Sequence, residues 1–237
     1  MKFIVITLLA ILNYSCTTYN PEQNIEFNKR KPVSSNQNDP FYGKEICNSD
    51  NNKFRCISIY KKDTWKSLFK DKTLRKLVMN LNRTNMPLKH RKWLIIPKDL
   101  NLNIEEYSPF PKYIKKTNRK TIIISISKQA YGAYDRQGTL IRWGSANKGA
   151  ENGEDNTPLG EFKVYRKKGA NCKSSKYPLP KGGSPMPYCM FFHKGYAIHE
   201  YQMPGFPVSL GCVRVDKEDA KWLYKFSPMD TIVIVQK

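Results

Sequence analysis

The sequence lacks a long apolar run at its start, and it has few histidines and few acidic residues. The apolar run from Phe3 to Leu12 has the size of a signal-peptide core and is too short to span a bilayer. Only three histidines, His90, His193 and His199, are available as candidates for a general base. The sequence contains 40% hydrophobic and 12% aromatic residues. This content is enough to form a buried core, which excludes a disordered chain.

The segment after this apolar run ends in Ser15-Cys16, and a cysteine behind a small residue here resembles the bacterial lipobox. In a lipobox that cysteine is lipidated and becomes the mature N-terminus. We therefore expect residues 1–16 to be a signal peptide with a lipobox, with plain secretion or a buried N-terminal element as alternatives. Residues 17–46 are rich in Asn, Pro, Ser and Lys and predict a flexible tether.

An odd number of cysteines remains beyond Cys16, namely Cys47, Cys56, Cys172, Cys189 and Cys212. In an oxidising compartment four of them can pair and one must stay free. Proximity favours the pairs Cys47–Cys56 and Cys172–Cys189, which leaves Cys212 as a free thiol. Five reduced, buried thiols are the alternative, and a zinc site built from Cys172, Cys189, His193 and His199 is a further one.

The shortage of acidic residues gives a formal net charge of +21, from 41 Lys and Arg against 20 Asp and Glu. Such an excess of positive charge is typical of proteins that bind nucleic acid. The basic residues are scattered along the whole chain, however, and an exported protein meets little nucleic acid. We therefore expect polyanions of the cell envelope as partners, and no nucleic acid.

Residues 47–103 predict a small α/β unit. An alternating strand at Phe54–Tyr60 is followed by a capped helix from Asp63, a second helical pattern at Leu74–Leu81 and a short strand at Trp93–Pro97. This order of strand, helix, helix and strand resembles a LysM module, a family that binds the glycan of peptidoglycan and chitin. Lys62 replaces the usual glycine of that family. A small subdomain without a sugar-binding role is the alternative.

Residues 104–119 are polar and punctuated by Pro109 and Pro111, so they predict a linker. Residues 120–237 predict a mainly β domain with short strands at 121–127, 131–134, 140–145, 160–165, 188–192, 196–199 and 231–235. Only one helix is clear in this domain. It begins at Asp216, a good N-cap, directly after the segment that contains Cys212.

The residues that carry chemistry lie in two short segments, 196–200 and 207–214. A thiol nucleophile needs a base that favours the thiolate and donors for an oxyanion. His199 can serve as the base for Cys212, and the amides of Gly211 and Cys212 can serve as oxyanion donors. Arg214 can bind a substrate carboxylate through two hydrogen bonds, and its positive charge favours the thiolate.

This constellation resembles the L,D-transpeptidase (YkuD) catalytic domain, whose pattern is a strand-borne histidine followed by Ser/Thr-His-Gly-Cys-apolar-Arg/Asn. The matching residues here are His199 and then Ser209–Arg214. Further resemblances to the family, in the same order, occur at Asn156–Phe162, Ser184–Phe192, Met203–Ser209, Asp219–Tyr224 and Asp230–Val235. The resemblance implies a β-sandwich-like catalytic domain.

The resemblance also implies a reaction on the peptide stems of peptidoglycan, with Cys212 forming a thioester and His199 assisting proton movement. No cofactor or metal is implied. Ser209, Gly211, Arg214, Met186 and Tyr188 are the implied oxyanion and substrate-binding residues. The family usually has a second histidine where this sequence has Leu210, and Glu200 stands where the family prefers a small residue.

These inferences predict a cysteine-dependent L,D-transpeptidase that acts on stem peptides and is held at the membrane by a lipid on Cys16. We expect the protein in the periplasm or cell envelope. An L,D-carboxypeptidase or hydrolase of the same fold is the first alternative, because a minority of relatives without the second histidine hydrolyse their substrate. A non-catalytic, peptidoglycan-binding lipoprotein that uses the LysM-like unit is the second.

Overall fold

The computed structural model describes residues 30–36, 38–99, 104–149 and 156–237, so Cys16 and the expected signal segment lie outside the described residues. The described α-helices are α1 (Lys44–Cys47), α2 (Trp65–Leu68), α3 (Lys72–Leu81) and α4 (Lys217–Phe226). The described strands are β1 (Phe54–Ser58), β2 (Trp93–Pro97), β3 (Thr121–Ser125), β4 (Ala130–Tyr134), β5 (Leu140–Ser145), β6 (Gly160–Lys163), β7 (Arg166–Lys167), β8 (Met190–His193), β9 (Tyr196–Glu200), β10 (Val213–Val215) and β11 (Ile232–Gln236). Short 3-10 turns lie at Leu88–His90 and Ile104–Tyr107. No helix in these ranges is both long enough and apolar enough to cross a bilayer.

The small N-terminal unit is built on the antiparallel pair β1–β2, in which Phe54 lies opposite Pro97. The hydroxyl of Thr64 accepts a hydrogen bond from the Ser67 amide, and this capping box starts α2. The carboxylate of Asp71 caps α3, whose apolar face is buried against the sheet. The order strand, helix, helix and strand is therefore present, as the sequence pattern predicts, whereas a LysM identity stays a prediction.

The described part of the predicted tether, residues 30–36 and 38–46, packs against this unit rather than extending freely. Arg30 forms an ion pair with Asp63 at 2.9 Å. The indole Nε1 of Trp93 donates a hydrogen bond of 2.8 Å to Asp39, and the ring of Phe41 packs edge-on against the same indole. These contacts join residues that are far apart in the chain. Contacts of this kind leave no periodic pattern in the segment itself, so its sequence does not predict that it packs.

The C-terminal half consists of two sheets that share one core, which confirms the mainly β prediction. One sheet has the strand order β5-β4-β3-β11-β6, and the other has the order β10-β9-β8-β7. Both sheets and the apolar face of α4 contribute buried side chains to this core, among them Ile122, Ile124, Met190, Val213, Leu223 and Val233. This core places the β9–β10 pair, which carries the candidate site, on a rigid support.

Strands β3 and β4 of the five-stranded sheet are buried on both of their faces. Because side chains alternate along a strand, Ile122 and Ile124 point into the sandwich core while Ile123 points to the other side. On that side Ile123 packs in a second core with Leu77 of α3 and with Phe110. Phe110 lies in the segment for which the sequence predicts a linker, so this segment contributes to the core that joins the two halves.

A buried ion-pair cluster also joins the two halves. Asp219 of α4, with a side chain only 1% exposed, binds Lys76 of α3 at 2.9 Å and Arg142 of β5 at 2.7 Å. Lys76 also pairs with Asp216, the residue that caps α4. A buried carboxylate requires such partners, so α3 and α4 are held in one arrangement.

Candidate active site

The parallel pairing of β9 with β10 brings the predicted catalytic residues to one side of the sheet. Arg214 lies opposite His199 in this pairing, and Cys212 directly precedes β10. Arg214 therefore projects to the same side of the sheet as His199, and Cys212 lines the same pocket as both. Gly211 has a φ of 100°, which lies in the region that favours glycine, so the turn before Cys212 needs a residue without a side chain.

A pocket of about 310 Å³ opens over these three side chains. Its lining includes Met186, His199, Ser209, Leu210, Cys212 and Arg214. Cys212 is the free cysteine among the described residues, because Cys47 is bonded to Cys56 and Cys172 to Cys189. The structure thus brings together the predicted nucleophile, base and carboxylate-binding arginine.

His199 is only 5% exposed, and its Nδ1 lies 2.9 Å from the backbone carbonyl oxygen of Glu200. A carbonyl oxygen can only accept, so Nδ1 is the donor, and in the neutral imidazole Nε2 then carries the lone pair. The pKa of His199 is lowered to about 4, chiefly because the ring is buried; the Glu200 hydrogen bond opposes this effect and the charge of Arg214 adds to it. His199 is therefore neutral at pH 7 and able to accept a proton. The orienting group is the main chain of Glu200, which the sequence could not indicate.

The thiol of Cys212 is also uncharged at neutral pH. Burial raises its pKa above the ordinary value of a cysteine, while a hydrogen bond to the Ala197 main chain and the charge of Arg214 lower it. Its sulfur lies 4.0 Å from the carbonyl oxygen of Gly195. The site thus holds a neutral thiol beside a neutral imidazole rather than a preformed ion pair.

Arg214 is held at the pocket by contacts with the segment that follows β9. Its guanidinium carbon lies 4.6 Å from the centre of the Tyr201 ring, and Nη1 donates a hydrogen bond of 3.4 Å to the carbonyl oxygen of Gln202. The Tyr201 ring also packs edge-on against His199, with the ring centres 6.0 Å apart. The contacts of residues 201 and 202 therefore help to position both Arg214 and His199 beside Cys212.

Ser209 and Thr157 shape the loop that carries the nucleophile. The hydroxyl of Ser209 donates to the carbonyl oxygen of Cys212, so this predicted substrate-binding group is engaged with the main chain. Thr157 donates a hydrogen bond of 2.9 Å to the carbonyl oxygen of Gly211 and accepts one from the Gly149 amide. Thr157 was not among the predicted site residues, although it lies in the Asn156–Phe162 motif that indicated the family.

The disulfide Cys172–Cys189 closes a loop that forms one wall of the pocket through Met186. Both sulfurs are consumed in this bond, which rules out the zinc site considered from the sequence. Tyr188 lies outside the pocket lining. Its ring packs against Tyr224, with the ring centres 5.9 Å apart, so its contacts are with the α4 side of the domain.

The small N-terminal unit holds the segment that leads to the nucleophile loop. The side chain of Asn85 donates to the carbonyl oxygen of Tyr201 at 3.0 Å and accepts from the Met203 amide at 2.8 Å. The Thr84 hydroxyl donates to the carbonyl oxygen of Met203 at 2.8 Å. Sequence reasoning missed this role, because nothing in the pattern around Asn85 indicates a partner in the other half of the chain.

A family model for the L,D-transpeptidase catalytic domain (YkuD) matches residues 119–235. Solved structures similar to the chain include an L,D-transpeptidase from Xylanimonas cellulosilytica, with 28% identity over 53% of this chain and 64% of that one and a TM-score of 0.45. Another, from Stackebrandtia nassauensis, has 23% identity over 54% of this chain and 60% of that one, with a TM-score of 0.45.

A third is an L,D-transpeptidase in complex with imipenem, with 20% identity over 49% of this chain and 58% of that one and a TM-score of 0.44. The chain thus covers less than two-thirds of the length of each of these structures. No curated protein matches the chain. The family match contains every residue of the β9–β10 site, and residues 119–235 accordingly belong to the L,D-transpeptidase catalytic domain family.

Proposed function

We propose that the protein is a peptidoglycan L,D-transpeptidase with Cys212 as its nucleophile. The observation that carries this proposal is the pocket shared by a free thiol, a buried neutral imidazole and a guanidinium, at Cys212, His199 and Arg214. Membership of residues 119–235 in the family supports the same reaction. Each residue has a role that its chemistry and surroundings support.

In the first half-reaction, Nε2 of His199 accepts the thiol proton as the sulfur of Cys212 attacks a peptide carbonyl. The carbonyl is the one between the third stem residue and the terminal D-alanine. The amides of Gly211 and Cys212 donate hydrogen bonds to the developing oxyanion. The imidazolium then gives its proton to the departing amine, so that D-alanine leaves and a thioester remains on Cys212.

In the second half-reaction, an amine of a neighbouring stem attacks the thioester carbon. The new peptide bond forms as the carbon–sulfur bond breaks, the amine loses a proton to His199, and the thiol is restored. Arg214 binds a carboxylate of the substrate in this proposal. Its charge also favours the thiolate over the thiol during the first step.

Hydrolysis of the same thioester is the second candidate, and Leu210 is the observation that favours it. Leu210 is 47% exposed at the rim of the pocket, where the family usually places a histidine. Water would then replace the acceptor amine, and the product would be a trimmed stem. Mass spectrometry of muropeptides after incubation with the protein separates the two, since cross-linked products indicate transfer and shortened stems indicate hydrolysis.

The nucleophile is tested with imipenem, because one structurally similar L,D-transpeptidase was solved in complex with it. We expect a covalent adduct on the peptide that contains Cys212 and no adduct on the C212A variant. The H199N variant should acylate about 10²–10⁴-fold more slowly, the range expected for loss of a general base. A folded wild-type protein with both disulfides intact and no adduct would contradict the proposal.

Export and anchoring belong to the same proposal, with the protein in the cell envelope and Cys16 as the lipidated residue. Cys16 lies outside the described residues, so the support is the sequence pattern alone. Expression of the full chain with a labelled fatty acid should give a labelled protein, and the C16S variant should lose the label. The LysM-like unit would add affinity for the glycan, which a pull-down with purified cell-wall sacculi measures.

A further inference from the structure

A second pocket of about 310 Å³ adjoins the first, and Cys212 lines both. The first pocket lies at the His199 end of β9, whereas the second includes Gly195 and Tyr196 at the other end of the strand. Met186 and Leu210 line both pockets and therefore stand between them. A peptide bound across Cys212 can thus extend in both directions.

The second pocket is strongly basic. Its lining carries the side chains of Arg166, Lys168, Lys173 and Lys176, and no Asp or Glu contributes to it among the described residues. Within the same described ranges, no ion pair involves Arg166, Lys168 or Lys173. The field in this pocket is therefore positive, and it favours an anionic group on the ligand.

A ring contact positions the Arg166 guanidinium, and main-chain contacts fix the backbone from which the lysine side chains extend. The guanidinium of Arg166 lies 4.0 Å above the ring of Phe191, a contact that leaves its edge able to form two parallel hydrogen bonds. The Lys168 amide donates to the carbonyl oxygen of Cys189 at 3.0 Å. Lys173 directly follows the disulfide-bonded Cys172 and pairs with Pro185. The backbone at Lys168 and Lys173 is therefore restrained by main-chain pairing or by the neighbouring disulfide.

We propose that Arg166, Lys168 and Lys173 form a carboxylate-binding subsite that makes the enzyme select stem peptides with free, unamidated acidic groups. The proposal rests on the proposed function, because it assigns the stem peptide as the ligand. A guanidinium and two ammonium groups bind a carboxylate through charge-assisted hydrogen bonds, whereas a carboxamide keeps only the weaker neutral ones. The subsite thus determines which stem is used, while Cys212 and His199 perform the chemistry.

The test measures binding to the full-length C212A protein, in which no turnover occurs. The probes are the tetrapeptide L-Ala-γ-D-Glu-meso-diaminopimelyl-D-Ala and the same peptide with both acidic residues amidated. We expect the free acid to bind about tenfold more tightly, the ratio that one charge-assisted contact at a partly exposed site contributes. Raising the ionic strength should reduce this ratio, because the cations are reached by solvent.

Two triple variants in the C212A background separate the subsite from net charge. R166Q/K168Q/K173Q should bind the two peptides with nearly equal affinity. K217Q/K221Q/K225Q removes the same amount of charge from the exposed side of α4 and should keep the wild-type preference. Thermal unfolding of each variant checks that the fold is retained.

An unchanged preference in the R166Q/K168Q/K173Q variant, or no preference in C212A itself, would overturn the subsite proposal. Failure of the proposed function has a different signature, because it leaves the peptide-binding ratio intact while the wild-type protein forms no imipenem adduct and no product. The two proposals can therefore fail separately.

Discussion

The small N-terminal unit and the C-terminal domain both bury polar side chains, but they use them differently. In the small unit, the Asn82 amide nitrogen donates to the carbonyl oxygens of Val78 and Ile95, and its oxygen accepts from the Ile95 amide. In the C-terminal domain, His199 hydrogen-bonds through Nδ1 and keeps Nε2 available at the pocket. A buried polar group with complete bonds supports the fold, whereas one with an available reactive atom indicates chemistry.

The two regions are nevertheless joined by direct contacts beside the candidate site. Asn85 of the small unit binds the main chain of Tyr201 and Met203, and Tyr201 in turn contacts His199 and Arg214. Lys76 joins the same unit to Asp219. Part of the small unit thus supports the site, whatever affinity it has for glycan.

The largest expected effect is at the buried junction. The D219N variant removes the carboxylate that Lys76 and Arg142 share and leaves Lys76 with Asp216 alone, which should lower the free energy of unfolding by about 3–5 kcal/mol. Urea denaturation measures this loss. The matched control is E218Q, because Glu218 pairs with Lys72 of α3 across the same junction but is 57% exposed, and it should cost less than about 1 kcal/mol. Equal losses in the two variants would mean that the junction does not depend on the buried pair.

The second effect concerns His199 and pH. Its folded pKa of about 4 lies below the ordinary value of 6.5, so the unfolded chain binds a proton more readily than the native protein between these values. The contribution of the neutral imidazole to stability is therefore complete above about pH 6.5 and is lost as pH falls towards 4, by about 3 kcal/mol in total.

Urea denaturation of the wild type and of H199N across this pH range isolates the His199 contribution. As pH falls across this window, the unfolding free energy of the wild type should decrease relative to that of H199N. A constant difference would show that His199 titrates alike in the folded and unfolded states.

The third effect tests whether the small unit positions the site. The N85A variant removes two side-chain hydrogen bonds to residues 201 and 203, which should cost about 2 kcal/mol of stability and lower kcat about tenfold. KM should change less, because Asn85 acts through Tyr201 on His199 and Arg214. The control is N82A, whose lost bonds lie inside the small unit, and it should lose stability with little change in kcat per folded molecule. Equal kcat losses in both variants would reduce the role of Asn85 to general stability.

The smallest effect concerns the charge of Arg214. This charge lowers the pKa of Cys212, so the R214Q variant should raise that pKa and slow alkylation by iodoacetamide at pH 7, within about tenfold. The rate of alkylation against pH should move to higher pH. R136Q removes an exposed charge in the turn between β4 and β5 and should leave the profile in place. A profile that does not move in R214Q would remove the electrostatic role of this arginine.

The residues proposed to be catalytic could be named from the sequence because each lies in a local pattern that resembles the family motif. Gly211, Cys212 and Arg214 are close in the chain. Gly211 lies in the turn, Cys212 follows it as the proposed nucleophile, and Arg214 lies in the strand that comes next. The N-cap at Asp216 and the apolar stripe of α4 are likewise local, since a helix relates only residues three or four apart. Alternation along β3 similarly predicts a strand.

Only the tertiary structure decided which distant residues meet these local elements. Asn85 reaches Met203 across 118 positions, and Lys76 reaches Asp219 across 143, and such contacts leave no period in the sequence. The partner of His199 is a main-chain carbonyl, which every residue possesses, so no residue type could indicate it. The second pocket draws its cations from β7, from Lys168 directly after it and from the disulfide-closed loop, which became neighbours only when the sheet formed. Local chemistry is encoded residue by residue, whereas the surroundings that tune it depend on packing across the whole chain.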